Sequence, residues 1–154
     1  MSLNEEVELL RSIPLFAKLE QSKLKLLAFT SERLTFAQGQ NLFRQGDIGD
    51  AAFVVIDGAA DVIIQSPSGP LVVAHVGKNA FIGEIAILCD VPRTATVTAT
   101  QRLETLKITK DLFFRLVREF PEMAVEIMRE LARRVDQMNV QLGEANAKLT
   151  RAGR

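Results

Sequence analysis

FIGEIAILCDVPRTATVTA, residues 81–99, sets a glycine, a carboxylate and an arginine around one short apolar turn. Gly83 lets backbone approach a partner closely. The EIAIL segment after it is too short for a strand in a barrel wall and reads as a single helical turn. The amides at the start of such a turn lack intrahelical partners and bind anions. Pro92 and Arg93 precede the strand-like TATVTA, which predicts a guanidinium at a strand start, able to grip phosphate oxygens bidentately. Glu84 accepts only, so beside an anion its useful partner is a donor such as a sugar hydroxyl.

Outward from this stretch, residues 34 to 108 alternate short β-branched and aromatic runs with turn chemistry: GQ, QGD, DG, PSGP and GKN. That texture predicts a small antiparallel barrel or sandwich, whose closure removes exposed edges. AAFVVIDGAADVII reads as its clearest hairpin, with Asp57-Gly58 as the turn, and LVVAHV after the Pro67–Pro70 turn supplies the next strand. Ahead of the strands, Ser2 with Glu5 forms a capping signal before Leu3, Val7 and Leu10, and SKLKLLAF predicts a second short helix. Behind them, Thr109 is suited to cap a helix through Phe113 and Val117, and Pro121 suits the first position of a long final helix. Ile127, Leu131, Val135, Met138, Leu142 and Leu149 make an apolar stripe along that helix. Gly143 weakens it by about 1 kcal/mol relative to alanine, so the residues beyond are expected to fray unless packed against a partner.

Gly83, Glu84, Ala86, Leu88, Arg93, Thr94 and Ala95, together with FRQGDIGDAAFVVIDGAADV and its Gly46, Gly49 and Gly58, resemble the cyclic-nucleotide-binding domain family. That family includes protein kinase A regulatory subunits, nucleotide-gated channels and the bacterial catabolite activator protein, and the resemblance covers nearly the whole chain. It implies a mainly β fold with flanking helices (α+β): a double-stranded β-helix, or jelly-roll-like β-roll, with N-terminal helices and a long C-terminal helix. The expected organisation is one domain over 1–154, with a helical lead-in at 1–32, the β-roll at 33–108 and C-terminal helices at 109–154.

By the same resemblance, the amides of Ala86, Thr94 and Ala95 join Arg93 on a cyclic phosphate, while the Gly83 amide and Glu84 carboxylate take the ribose 2′-hydroxyl. Met138, Asn139 and Leu142 are the candidates for a lid over the base, carried by a final helix that moves when nucleotide binds. Each has a plainer alternative. Arg93 could form a structural ion pair with Glu84, Thr94 suits any strand start, and the lid residues could pack on the barrel or on a second copy of the helix. In the family this chain resembles, a threonine at the place of Thr94 can bond a guanine amino group, which leaves cGMP open. One hydroxyl decides a base by only about 1 kcal/mol, and the balance falls slightly towards cAMP.

Nineteen basic residues offset nineteen acidic ones, so no overall field favours nucleic acid, and no nucleic-acid contact is expected. No apolar run approaches the roughly 20 residues that span a bilayer, and MSLNEEVELL is acidic where a secretory leader would be basic. With a lone cysteine, Cys89, these features fit a cytoplasmic chain. Cys89 is expected to be a small packed group, and His75, in an apolar strand, a packed or hydrogen-bonded one. One histidine cannot build the clustered metal site of barrel-shaped metalloenzymes, so neither a metal, a catalytic residue nor a catalytic cofactor is expected. The sequence therefore points to a non-enzymatic regulatory module for cAMP or cGMP. The alternatives are a ligand-free interaction domain, homodimeric through its last helix, or the sensor piece of a transcription regulator or ion channel.

Overall fold

The computed structural model describes residues 2–14 and 16–152, the last two as backbone only. Two helices lead in, α1 (Leu3–Arg11) and α2 (Gln21–Thr30). Ser2 caps α1 as its sequence signal requires, its Oγ accepting from the Glu5 amide at 3.2 Å. Eight strands follow: β1 (Glu32–Phe36), β2 (Asn41–Phe43), β3 (Ala51–Asp57), β4 (Ala60–Ser66), β5 (Gly69–Val76), β6 (Phe81–Ile82), β7 (Thr96–Ala99) and β8 (Leu103–Thr109). A six-residue helix, α3 (Glu84–Cys89), sits between β6 and β7, and α4 (Lys110–Glu119) and α5 (Pro121–Ala152) close the chain. The expected jelly-roll-like architecture of helices, β-roll and helices is the one observed.

The strands form two antiparallel four-stranded sheets, ordered β1-β8-β3-β6 and β2-β7-β4-β5. Their facing sides enclose a core of Phe53, Val55, Ala60, Ile82, Val97, Ala99 and Leu103. Here the hairpin expectation is corrected: β3 pairs with β6 and β8, and β4 with β5 and β7, so Asp57-Gly58 carries the chain from one sheet to the other. The reason is visible in β3, whose residues Ala51–Ile56 are all buried. A strand covered on both faces belongs in the middle of a sheet, flanked by distant segments rather than by its successor. The tight hairpin comes one strand later, where Ser66 faces Gly69 across the Pro67-Ser68 turn of β4–β5.

Lead-in and roll are tied by charge as well as packing. Arg33 Nη2 meets Glu104 Oε2 at 2.9 Å and its Nη1 lies 3.6 Å from Glu6 on α1, while Arg102 Nη1 reaches Glu104 Oε1 at 2.8 Å. The Arg33 hydrogen bond above all, with help from Arg102, holds Glu104 below the usual carboxylate value against a desolvation that raises it. A depressed folded-state value means stability that is present above the unfolded carboxylate's value of about 4.3 and is lost as pH falls through the lower folded one. Thermal melts should therefore show the Tm gap between wild type and Glu104→Gln closing as pH drops below about 4; a gap independent of pH would contradict this.

The chain divides into two compact units at Arg115–Leu116. In the first, Thr109 Oγ1 accepts from the Leu112 amide at 3.3 Å at the start of α4. In the second, α5 begins at Pro121 and runs through Gly143 to Ala152. Ion pairs one turn apart, Glu126–Arg129 and Glu130–Arg133, support the helix ahead of Gly143. Met123 and Ile127 are buried, whereas Val135, Met138, Leu142 and Leu149 are exposed. Among the described residues, no helix is long and apolar enough to cross a membrane.

Candidate functional site

The backbone around α3 is bent at both ends by left-handed residues. Gly83 stands at its N-cap with φ 83°, and Asp90 at its C-cap with φ 54°. Gly83 is the residue this position needs, because a Cβ there would come within 2.7 Å of Arg93 Nη1 and 3.3 Å of Phe43 Cε2. The helix buries Glu84, Ala86 and Ile87 and leaves Ile85 out. Cys89 is exposed, which corrects the expectation of a packed thiol: two residues past Ile87 a helix has turned through about 200°.

Arg93 enters the site on a strap clamped to the segment ahead of β3. Its amide donates to the Asp47 carbonyl at 2.7 Å, and its carbonyl accepts from the Gly46 amide at 2.8 Å. The guanidinium is buried, with Nη1 donating to the Gly83 carbonyl at 2.8 Å and Nη2 to the Ala51 carbonyl at 2.6 Å. Its Cζ lies 4.0 Å from the centroid of the Phe43 ring. Nε is buried and finds no hydrogen-bond partner among the described residues. Desolvation pulls the group below its ordinary value, while Asp50, Asp47 and Glu84, in that order, pull it back; an arginine so placed stays a cation.

The residues named from the sequence are thus brought together in part by direct contact. Gly83 bonds Arg93, and Ala86 sits against the Gly49 position beside that guanidinium. Glu84, 5% exposed, contributes the negative charge of a buried carboxylate on the same helix. Ala95 is buried, and Thr94 is exposed in the bend two residues before β7 rather than in the strand itself. Met138, Asn139 and Leu142 lie on α5 in the second unit, all exposed. His75 is hydrogen-bonded, Nδ1 to Asp61 Oδ1 at 2.5 Å, with its side chain 82% exposed. Among the described residues no group of three or more His, Cys, Asp or Glu could hold a metal ion.

Two residues of the site escape sequence reasoning. Gly49 reads as a barrel-turn glycine, but what the structure requires of it is room: a Cβ there would overlap that of Ala86 and lie 3.0 Å from both Cζ and Nε of Arg93. Phe43 packs against the core between the sheets, and it is also the surface on which the cation rests. No local signal marks either role, since both depend on Arg93, far along the chain from each.

Residues 33–120 match the family model described as the cyclic nucleotide-binding domain, and the chain belongs to that family. It is 37% identical over 110 residues to a cAMP-dependent protein kinase regulatory subunit of Eremothecium gossypii, across 71% of this chain and 23% of that protein. The chain accordingly spans about a quarter of the length of this curated relative. Among solved structures, the Thermus thermophilus catabolite activator protein is similar with a TM-score of 0.76 and 28% identity, over 84% of this chain and 61% of that one. The N-terminal domain of a transcriptional regulator from Streptomyces coelicolor A3(2) is similar with a TM-score of 0.68 and 34% identity, over 85% and 92%.

Proposed function

We propose that this chain is a non-catalytic sensor module that binds a cyclic mononucleotide, cAMP in preference to cGMP, and signals through its C-terminal helices. The observation that carries the reading is Arg93: a buried cation with an orphaned Nε–H, its ring-covered face on Phe43 and its edge beside Gly49, Gly83 and Ala86, where side chains are absent or small. An unpaired buried donor costs about 1–3 kcal/mol, and a phosphate oxygen is the partner that removes the cost and matches the charge. Arg93 and the amides of Ala86, Thr94 and Ala95 take the phosphate in this reading, and the Gly83 amide and Glu84 carboxylate the ribose 2′-hydroxyl. Support for cAMP comes from the Eremothecium relative, which is a cAMP-dependent regulatory subunit.

Met138, Asn139 and Leu142 are free of burial and so available to cover a base, and the exposed stripe they continue equally suits a second copy of the chain. A ligand that contacts helix and cassette together favours one helix position, and that differential affinity is the signal. The whole of 1–154 acts as one module in this account, in the cytoplasm.

Titration calorimetry with cAMP, cGMP and 2′-deoxy-cAMP tests the proposal. Saturable binding is expected, tighter for cAMP than for cGMP, with 2′-deoxy-cAMP weaker by about 10- to 100-fold because a charge-assisted hydrogen bond to Glu84 is lost. Glu84→Gln should close most of the gap between cAMP and its 2′-deoxy analogue. Absence of binding by either cyclic nucleotide would leave the ligand-free interaction domain as the better account.

A further inference from the structure

The surroundings of Arg93 hold a second piece of design that concerns its charge. A buried guanidinium is commonly offset by a carboxylate, which would neutralise it and weaken its pull on an incoming anion. Here the two Nη donors are occupied by neutral carbonyls, those of Gly83 and Ala51, and the face of the cation rests on the Phe43 ring, 4.0 Å from Cζ to centroid. Carbonyl dipoles and the negative face of an aromatic ring stabilise a cation without supplying a counter-charge. Asp50, Asp47 and Glu84 act on the cation only through space, and the partners of its Nη hydrogen bonds are carbonyls, so its edge is left to a charged ligand. The contacts are also geometrically independent: the ring acts perpendicular to the guanidinium plane, the carbonyls act within it, and Nε–H remains as an in-plane donor.

Phe43 is well placed to hold this arrangement. It ends the three-residue strand β2, faces Val97 on β7, and stacks on Phe53 with ring centroids 6.0 Å apart and planes 28° apart. Its Cε2 would also be the second atom met by a Cβ at Gly83, so the ring closes the space between the start of α3 and the cation.

Resting on the phosphate reading above, we propose that Phe43 is a positioning residue for the ligand: through its ring face it stabilises the Arg93 cation and holds its guanidinium flat, and so sets affinity for the phosphate. The test replaces Phe43 with 3,4,5-trifluorophenylalanine, which keeps the ring and its packing while draining the negative face, and compares it with Phe43→Tyr and Phe43→Leu. Calorimetry with cAMP should give wild-type and Phe43→Tyr affinities within about 3-fold of each other and a loss of about 5- to 30-fold for the fluorinated and Phe43→Leu proteins. Tm of the fluorinated protein should stay near wild type, a split that a merely structural role would not produce. Wild-type affinity in the fluorinated protein overturns the proposal and leaves the phosphate reading standing, whereas failure of the wild type to bind cAMP removes the phosphate reading and this inference with it.

Discussion

Arg93→Ala is expected to lose about 30- to 5,000-fold in cAMP affinity, because truncating one member of a buried, hydrogen-bonded charge pair costs about 2–5 kcal/mol. The residues left behind cannot compensate. Backbone amides at the start of α3 contribute partial charges only, and the nearby ionised groups, Asp47, Asp50 and Glu84, all repel a phosphate. The ligand-free protein should also weaken, since the Gly83 and Ala51 carbonyls lose their donors and the guanidinium volume is vacated. Removing a desolvated charge offsets part of this, so the expected net loss is about 2 kcal/mol, smaller than the loss in binding. Arg93→Lys should restore little affinity, because an ammonium cannot serve two carbonyls, a ring face and a phosphate in one plane. Calorimetry paired with thermal melts separates the two effects; a variant that binds cAMP with wild-type affinity would remove Arg93 from the phosphate site.

Gly58→Ala should give the largest loss of stability, about 3 kcal/mol, or roughly 6–12 °C in Tm for a chain of this size. Two penalties coincide at this residue. Its φ of 97° lies where a Cβ is unfavourable by about 1–2 kcal/mol, and that Cβ would overlap the Arg102 carbonyl oxygen and come within 2.9 Å of Leu103 Cα. Backbone on both sides leaves no flexible side chain to yield. The Ala59 carbonyl, accepting from the Thr100 amide at 3.0 Å, holds the crossing against the turn ahead of β8. Gly39→Ala is the matched control: φ is 86° but the space is open, so only the backbone penalty of about 1 kcal/mol is expected. Equal losses in the two variants, measured by denaturant unfolding, would show that the close approach at Gly58 contributes nothing.

The parts of this protein that depend on a few neighbouring residues were legible in its sequence. The Ser2 cap, the Thr109 cap, the proline at the head of α5, the short helix after Gly83 and the turn at Asp57-Gly58 each follow from the conformational limits of residues no more than four apart. The spacing of Gly83, Glu84, Arg93 and Ala95 likewise carried the family resemblance, because the short helix and strap that hold them are compact in the chain.

What the strands pair with is a different kind of fact. Asp57-Gly58 makes a turn in either topology; β3 is buried along its length and has both edges taken by β6 and β8, which sends β4 into the other sheet. The surroundings of Arg93 were decided the same way. Ala51, 42 residues earlier, offers a carbonyl, Gly49 offers the absence of a side chain, and Phe43 offers a ring, and none of these services leaves a local trace. Backbone conformational preference is set by adjacent atoms and can be read along the chain, whereas room, dipoles and ring faces act through space and exist only once the two sheets have closed on each other.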